Sequence, residues 1–170
     1  MTSSYEVNKD SVQICKIGFG GGCHWCTEAV FQSIPQIESV RQGWIRSEAP
    51  YQSWSEAVLV CYNKKRISLD VLIQAHLLTH SSTTIHSFRK KYRSAIYTFS
   101  RVQAVQASGI IKDFRSLHDK NYSTKVLPFV DFKVNRDEML NYYKTRPEAP
   151  FCIRYILPKL EKIRSGLNQD

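Results

Sequence analysis

The sequence predicts an α+β protein, in which a mixed or antiparallel sheet packs against flanking helices in a two-layer sandwich. Strand-like and helix-like apolar patterns alternate along the 170 residues, yet several strand-like segments are joined by short links. Residues 37–46 and 55–62 both have strand patterns, and the loop between them is too short for a crossover helix. They are therefore expected to pair antiparallel. The chain is 42% apolar and 12% aromatic, so we expect residues 1–170 to form a single domain with a real core.

The individual elements follow from local patterns and from residues that start or stop them. Ser68 and Ser100 are of the type that caps helices, whereas Pro35 ends one. Gly43 predicts a bend or bulge in its strand, and Pro128 predicts an edge strand because proline has no N–H to donate. The predicted elements are strand 12–19, helix 24–34, strands 37–46 and 55–62, helix 69–78, strand 92–99, helix 101–119, strand 126–132 and a short helix at 136–144.

The two ends of the chain are expected to be less regular than the middle. Residues 1–11 are polar and are expected to form a flexible N-terminus. The segment 146–170 starts among prolines and is expected to be a C-terminal tail that carries Cys152. That cysteine is either part of the core or a thiol brought to a reaction from a mobile segment.

Composition limits the location and the partners. The formal net charge is +9, but the basic residues are scattered, which is typical of a solvated surface, so nucleic acid is not an expected partner. The N-terminus lacks the apolar segment of a signal peptide, and no run approaches the ~18 apolar residues of a membrane span. Five cysteines, an odd number, argue against a disulfide framework. We expect a cytoplasmic protein that does not bind membranes.

Residues 20–28, Gly-Gly-Gly-Cys-His-Trp-Cys-Thr-Glu, carry the strongest signal for chemistry. An apolar strand leads into the glycines and a helical pattern leads out, which is how a site is often built, because glycine allows a sharp turn. Cys23 then lies at or near the helix N-terminus, where the helix dipole favours a thiolate. Cys26 lies about one turn further and is a possible redox neighbour. Alternatively, both are small buried apolar residues.

Three further side chains are candidates for acid chemistry. Glu56 lies at the start of a strand among apolar residues, where desolvation raises a carboxyl pKa and produces an acid near neutral pH. An ordinary solvent-facing glutamate is the alternative. Tyr92 and Tyr51 can each donate a hydrogen bond to a substrate oxygen, or can simply pack.

A zinc site is a weaker possibility. His76 and His80 are four residues apart on a predicted helix and would have to combine with Cys23 and Cys26. The sequence has one Cys-x-x-Cys and no second close pair, so we do not expect a metal site.

Beyond these patterns, the chain resembles the peptide methionine sulfoxide reductase A family. Residues 20–28 resemble its motif Gly-Cys-Phe-Trp followed by a small residue and a glutamate, and residues 92–97 match its Tyr-Arg-Ser-Ala-Ile-Tyr run fully. The likeness spans roughly residues 15–164 and is carried by residues 20–28, 55–58, 80–84, 92–97 and 150–160.

The resemblance implies a ferredoxin-like sheet and an enzyme that reduces methionine-S-sulfoxide, free or in proteins, as repair of oxidative damage. Cys23 would attack the sulfoxide sulfur and become a sulfenic acid. Glu56 would protonate the departing oxygen, helped by Tyr92 and Tyr51.

The substrate pocket and the reductant are implied in the same way. Trp25 would wall the pocket for the methyl group, with His24 and Glu28 as further pocket residues. A second cysteine, Cys152 or Cys26, would form a disulfide with the catalytic thiol, and thioredoxin or another dithiol would reduce it. We favour Cys152, because two cysteines in one helical turn meet only with strain. No bound cofactor is implied, and we expect a monomer.

The chain also departs from the family pattern. His24 replaces the pocket phenylalanine, the loop 44–54 is short, and residues 86–91 differ so that Ser87 is nearest the place of an aspartate. Met139-Leu140 stands where the family has a His-Gln pair. These departures indicate a divergent member with reduced activity or a shifted substrate. Two alternatives stay open, namely an impaired member that acts as a basic binding module and a dithiol oxidoreductase that uses Cys23 and Cys26 directly.

Overall fold

The computed structural model describes residues 12–80 and 92–167. In this part of the chain the strands are β1 (Ile14–Gly20), β2 (Ile37–Arg46), β3 (Ser55–Asn63), β4 (Ala95–Thr98), β5 (Lys125–Pro128) and β6 (Asp131–Val134). They form one sheet in the order β5-β4-β1-β3-β2-β6. Neighbouring strands are antiparallel except β4 and β5, which are parallel. The antiparallel pairing of β2 with β3 and the mixed α+β sheet are thus confirmed.

The helices are α1 (His24–Gln32), α2 (Leu69–Thr79), α3 (Arg101–His118), α4 (Tyr142–Thr145) and α5 (Leu157–Gly166). The two predicted serine caps are confirmed: Ser68 Oγ accepts the Val71 N–H at 3.3 Å and Ser100 Oγ accepts the Gln103 N–H at 3.1 Å. Caps of this kind stabilise a helix by about 1 kcal/mol. Among the residues with described structure, no helix combines the length and apolar character that a membrane crossing requires.

The single strand predicted at 126–132 is wrong, because the structure divides it into β5 and β6. Only Phe129 and Val130 separate these strands, yet they lie at opposite edges of the sheet. The Phe129 N–H donates to the Thr98 carbonyl at 2.8 Å, and the Val130 N–H donates to the Arg46 carbonyl at 3.2 Å. Two successive amides therefore bond to β4 and to β2, each of which lies next to one edge of the sheet. The sheet must curl until its two edges approach each other. Pro128 does lie in an edge strand, as predicted.

The curl creates two apolar clusters on the two faces of the sheet. Alternate strand residues point to opposite faces, so the outer face packs on the helices and the inner face packs on itself. Gly18 faces inward, where an added Cβ would lie only 2.7 Å from Ile45. The outer cluster includes Ile17, Phe19, Val30, Phe31, Val58, Val60, Leu72, Ile73, Ile96, Ile111 and Phe114. The inner cluster is Ile45, Ala57, Ala95, Tyr97 and Leu127.

Gly43 marks a close approach of two strands and not the predicted bulge. The register of β2 shifts between Ile37 and Ser39 instead. At Gly43 the backbone of β6 comes so close that an added Cβ would collide with the Lys133 carbonyl. The glycine is therefore needed for strand pairing.

The C-terminal part is more helical than the sequence suggests. The helix predicted at 136–144 is a 3₁₀ turn at Asp137–Met139 followed by α4, and Asn141 separates them with φ of 55°. A π-helical segment, Cys152–Ile156, leads directly into α5. The predictions for residues 1–11, most of the stretch 80–84 and the altered residues 86–91 lie outside the described residues.

Candidate active site

The glycine loop places the candidate site at one end of the sheet. Gly20 ends β1 and lies opposite Ala57 of β3 and Ala95 of β4, so three strand ends meet there. Gly21 and Gly22 follow with φ of 122° and 90°, values that favour glycine. The His80 ring lies against Gly21, and a Cβ at Gly21 would collide with it. The loop therefore turns sharply and starts α1 beside the sheet end.

Cys23 is the N-cap residue of α1, with φ −73° and ψ 138°. Its side chain is partly exposed. The hydrogen bond from the Cys26 thiol is the main cause that lowers the pKa of Cys23 from 9.0 to about 7, against the opposing effect of burial. Although the sulfur makes no regular capping hydrogen bond, the backbone N–H groups of Trp25 and Cys26 lower its pKa further. Cys23 is therefore the readily ionised thiol that the sequence predicts.

Cys26 and Cys152 are two buried thiols that belong to the cluster against which Cys23 packs. All five cysteines are free, and Cys26 is buried while Cys152 is fully buried. The hydrogen bond to Cys23 and burial both raise the pKa of Cys26, so Cys26 remains the protonated donor of the pair. Cys152 packs with Cys26 in one cluster, against which Cys23 also packs. The Lys159 ammonium acts in the opposite direction to burial and lowers the pKa of Cys26.

Removing the Cys26 thiol is expected to make Cys23 harder to ionise. In Cys26→Ala the midpoint of the pH profile for alkylation of Cys23 should move from about 7 toward 9.0, by at least about one pH unit. Cys26→Ser is the matched control, since its hydroxyl can still donate and should shift the midpoint less. Mass spectrometry of the Cys23 peptide after iodoacetamide treatment measures the profile. An unchanged midpoint in Cys26→Ala would contradict the hydrogen-bond explanation.

Glu56 binds the start of α1, where Cys23 is the N-cap residue. It is 8% exposed and lies on β3 opposite Trp44 of β2. Its Oε2 accepts the backbone N–H of His24 at 3.0 Å. The Glu56 charge also raises the pKa of Cys23, so the acid and the sulfur are within electrostatic reach. The structure thus brings together the two residues that the sequence singled out from different parts of the chain.

The His24 ring faces Glu56, and its place among the pocket residues stays a prediction. The ring is buried, with 4% exposed. Its Nδ1 lies 3.2 Å from Glu56 Oε2 and its Nε2 lies 2.6 Å from the Gly43 carbonyl oxygen. The Trp44 ring packs edge-on, with centroids 5.0 Å apart. The imidazole is therefore held by polar partners on two strands.

Trp25 forms an aromatic wall beside the thiols. Its Nε1–H donates to the Met139 carbonyl at 3.1 Å. Its ring stacks on Tyr142 at 4.0 Å and contacts Phe151 edge-on at 5.4 Å. Segments that are distant in sequence therefore hold the indole in one orientation, and Tyr142 is a contributor that the sequence analysis did not identify.

Glu28, whose place in the substrate pocket stays a prediction, is a buried side chain bonded to a neighbouring segment. It is 2% exposed. Burial raises its carboxyl pKa, while backbone N–H groups of Asn141 and Tyr142 and the Gln42 side chain oppose that rise by hydrogen bonding. Gln42 also donates to the Met139 carbonyl at 3.0 Å. Glu28 thus fixes the segment that holds Trp25, and no local sequence signal marks Gln42 as its partner.

The two candidate tyrosines occupy different settings. Tyr92 is partly exposed and precedes Arg93, whose backbone N–H donates to Ser55 Oγ at 2.8 Å, directly beside Glu56. Tyr51 lies in the 47–54 loop, with Arg93 and Lys125 over its ring at 5.5 and 5.7 Å. The residue after Tyr92 is thus hydrogen-bonded to β3, the strand of Glu56, whereas the Tyr51 ring contacts two cations.

The two histidines of the zinc possibility stack on each other, with ring centroids 4.9 Å apart. Burial lowers the pKa of His76 to about 3, so it is neutral, and His80 Nε2 lies 2.7 Å from Ser94 Oγ. Within residues 12–80 and 92–167 no three His, Cys, Asp or Glu side chains are grouped as a metal site would need.

A groove of about 500 Å³ lies at the far end of β3, beside Tyr62 and Asp113, well away from the thiols.

A partly exposed thiol of lowered pKa at a helix N-cap, with a second thiol and a buried carboxyl beside it, is typical of thiol-dependent oxidoreductases. Sequence comparison specifies the family. The model of the family described as peptide methionine sulfoxide reductase matches residues 15–170, and the chain belongs to this family.

Individual relatives agree with this assignment. Peptide methionine sulfoxide reductase MsrA of Acinetobacter baumannii strain AYE is 30% identical over 161 residues, which cover 86% of this chain and 92% of the relative. The fold is similar to that of Mxr1 from Saccharomyces cerevisiae in reduced form, with a TM-score of 0.73, 19% identity, and coverage of 84% of this chain and 94% of Mxr1. Mxr1 in complex with Trx2 gives a TM-score of 0.61, with 18% identity over 79% of this chain and 90% of Mxr1.

Proposed function

We propose that this protein reduces methionine-S-sulfoxide, free or within proteins, to methionine and so repairs oxidative damage. The observation that carries the proposal is the placement of a readily ionised Cys23 within electrostatic reach of the buried Glu56. Membership of the peptide methionine sulfoxide reductase family supports the same chemistry.

The first step oxidises Cys23 and reduces the substrate. The Cys23 thiolate attacks the sulfoxide sulfur, and Glu56 gives a proton to the departing oxygen, with Tyr92 and Tyr51 as further hydrogen-bond donors. One thiolate, one sulfoxide and one proton become one sulfenic acid and one thioether, with two electrons passing from the cysteine sulfur to the substrate sulfur. The aromatic wall of Trp25 gives the methyl group an apolar surface.

The second step resolves the sulfenic acid, and the geometry favours Cys26 as the first partner. The preference for Cys152 assumes that Cys23 and Cys26 share one helical turn. Cys23 is instead the N-cap residue with an extended backbone, and the two thiols are already hydrogen-bonded. Attack by Cys26 on the sulfenic acid forms a disulfide and releases water. The Cys152 thiolate, which packs against Cys26, then attacks the Cys26 sulfur, so that a Cys26–Cys152 disulfide forms, the Cys23–Cys26 bond breaks and the Cys23 thiolate is released.

The reductant that resets the enzyme is thioredoxin or a similar dithiol, with no bound cofactor. Mxr1 of yeast has been solved in complex with Trx2, which supports a thioredoxin as the partner here. Five cysteines, an odd number, argue against a disulfide framework and favour a reducing compartment, and we propose a monomer in the cytoplasm.

The hydrogen bond between Cys23 and Cys26 also favours a second candidate, a dithiol oxidoreductase that acts on disulfides. This candidate needs no acid, whereas methionine sulfoxide reduction requires a proton donor near the thiolate. The buried Glu56 therefore favours the reductase.

The test is a turnover assay of the reduced protein with each sulfoxide epimer, free and in a peptide, with dithiothreitol or thioredoxin as reductant. We expect methionine from the S epimer, with little from the R epimer. Peptide mapping after one turnover without reductant should find Cys26 in a disulfide, either with Cys23 or, after exchange, with Cys152. Absence of methionine from either epimer, together with reduction of a disulfide substrate, would replace the proposal with the dithiol candidate.

A further inference from the structure

The two nitrogens of the His24 ring both face oxygen atoms that accept hydrogen bonds. Nε2 lies 2.6 Å from the Gly43 carbonyl oxygen, and Nδ1 lies 3.2 Å from Glu56 Oε2. A carbonyl oxygen has no proton to give, so Nε2 must carry one. This contact therefore fixes the tautomer of the ring.

With Nε2 protonated, the contact on the other side of the ring requires a further proton. A bare Nδ1 would lie 3.2 Å from a bare carboxylate oxygen, and two electron-rich atoms without a proton between them repel each other in a buried site. One proton between the two groups removes that repulsion. The pair is then either an imidazolium with a carboxylate or a neutral imidazole with a carboxylic acid, and both forms hold the same number of protons.

The surroundings keep this pair in place and away from water. His24 is 4% exposed and Glu56 is 8% exposed. The same Oε2 also accepts the His24 backbone N–H at 3.0 Å, so the carboxyl binds both the backbone and the ring of one residue. The Gly43 carbonyl is positioned by the close pairing of β2 with β6. The geometry is thus set by β2, β3 and α1 together.

We propose that His24 and Glu56 hold one proton in common, and that His24 is a positioning residue that keeps Glu56 supplied with the proton given to the sulfoxide oxygen. This inference rests on the proposed function. Proton donation leaves a neutral His24 and a Glu56 carboxylate, and the pair regains its proton from solvent before the next turnover. A pair that holds its proton also carries no net charge, which limits the opposing effect of Glu56 on ionisation of Cys23.

Several ionisable groups surround the pair and must be considered in any pH profile. Cys23 precedes His24 at the N-cap of α1. Cys26 of α1 and Lys159 of α5 act on the same region through the thiols. The experiment must therefore separate loss of the shared proton from a change in Cys23 ionisation.

The test compares His24→Gln and His24→Asn with the unchanged protein. An Asn amide N–H can reach toward Glu56 and a Gln amide N–H can reach toward Gly43, but neither amide can hold the shared proton. The single-turnover rate of methionine formation is measured from about pH 5 to 9, the range in which histidine ordinarily titrates. Iodoacetamide alkylation of Cys23 over the same range reports its ionisation separately.

We expect both variants to approach the rate of the unchanged protein at low pH, where Glu56 takes its proton directly from solvent. At about pH 8 they should be slower by about tenfold or more, after correction for Cys23 ionisation. An equal loss at every pH would assign His24 a merely structural role, and rates equal to those of the unchanged protein would also overturn the inference.

Two controls keep the result interpretable. An unchanged protein that turns over neither epimer contradicts the proposed function itself, independently of the variants. If the variants do not fold, ¹⁵N chemical shifts of the His24 ring in the unchanged protein give the answer. A proton on Nε2 throughout, with Nδ1 titrating together with Glu56, supports the shared proton, and a neutral ring with a bare Nε2 overturns it.

Discussion

Cys23→Ser is expected to abolish methionine formation from methionine-S-sulfoxide, with a loss of at least about 10³-fold. The hydrogen bond from Cys26 lowers the pKa of the Cys23 thiol from 9.0 to about 7, so the thiolate forms more readily than that of an ordinary cysteine. A serine hydroxyl at the same N-cap is not ionised at neutral pH, and its oxygen cannot accept the sulfoxide oxygen as a sulfenic acid. The measurement is methionine formed by the reduced protein with dithiothreitol as reductant.

Cys61→Ser is the matched control for this loss. Cys61 is a partly exposed cysteine of β3 that pairs with Lys16, far along the strand from Glu56. Its replacement should leave the turnover within about twofold. Cys23→Ser protein that still reduced the S epimer at the original rate would remove Cys23 from the mechanism, and with it the assignment of the site.

Glu56→Gln should slow reduction of the sulfoxide by about 10²- to 10⁴-fold, the usual contribution of a general acid. The same substitution removes a carboxyl that raises the pKa of Cys23 whenever it is ionised. Alkylation of Cys23 at neutral pH should therefore become equal or faster while methionine formation falls. Opposite effects on the two reactions distinguish loss of the proton donor from damage to the thiol, since a disturbed site would slow both.

The control for Glu56→Gln is Glu48→Gln, in the exposed loop between β2 and β3. It makes the same chemical change without altering the site, so both rates should match those of the unchanged protein. If Glu56→Gln reduced the sulfoxide as fast as the unchanged protein, the proton would have to come from another donor, with Tyr92 the first candidate.

Local features of the fold were predictable because they depend on neighbouring residues. A serine hydroxyl caps the helix that follows it, so Ser68 and Ser100 are confirmed. The glycine loop likewise predicts that a helix starts at Cys23, which is the N-cap residue of α1. The division of 126–132 was not predictable, because it depends on Phe129 and Val130 bonding to strands that are distant in sequence.

In the candidate site too, contacts between neighbouring residues were predictable and contacts between distant residues were not. The groups that lower the pKa of Cys23 are the Cys26 thiol and the backbone at the start of the same helix, so an ionisable Cys23 was predictable from local sequence. The orientation of His24 depends instead on a carbonyl of β2 and a carboxyl of β3. The sequence indicates that His24 replaces the family's phenylalanine, but it does not indicate that the imidazole contacts Glu56 and the Gly43 carbonyl. The partners of Glu28 were not predictable for a related reason, because Gln42 and the 141–142 backbone that bind it become neighbours only when the chain is folded.

The curling of the sheet has a consequence for how the molecule meets copies of itself. Outermost strands with unpaired amides are templates on which foreign chains add, and such addition starts aggregation. Here β5 and β6 are only four residues long, and both are tethered by the two-residue connection through Phe129 and Val130. Lys125 and Pro128 in one, and Asp131 and Lys133 in the other, are the residue types that discourage strand addition. The fold therefore limits self-association through its sheet.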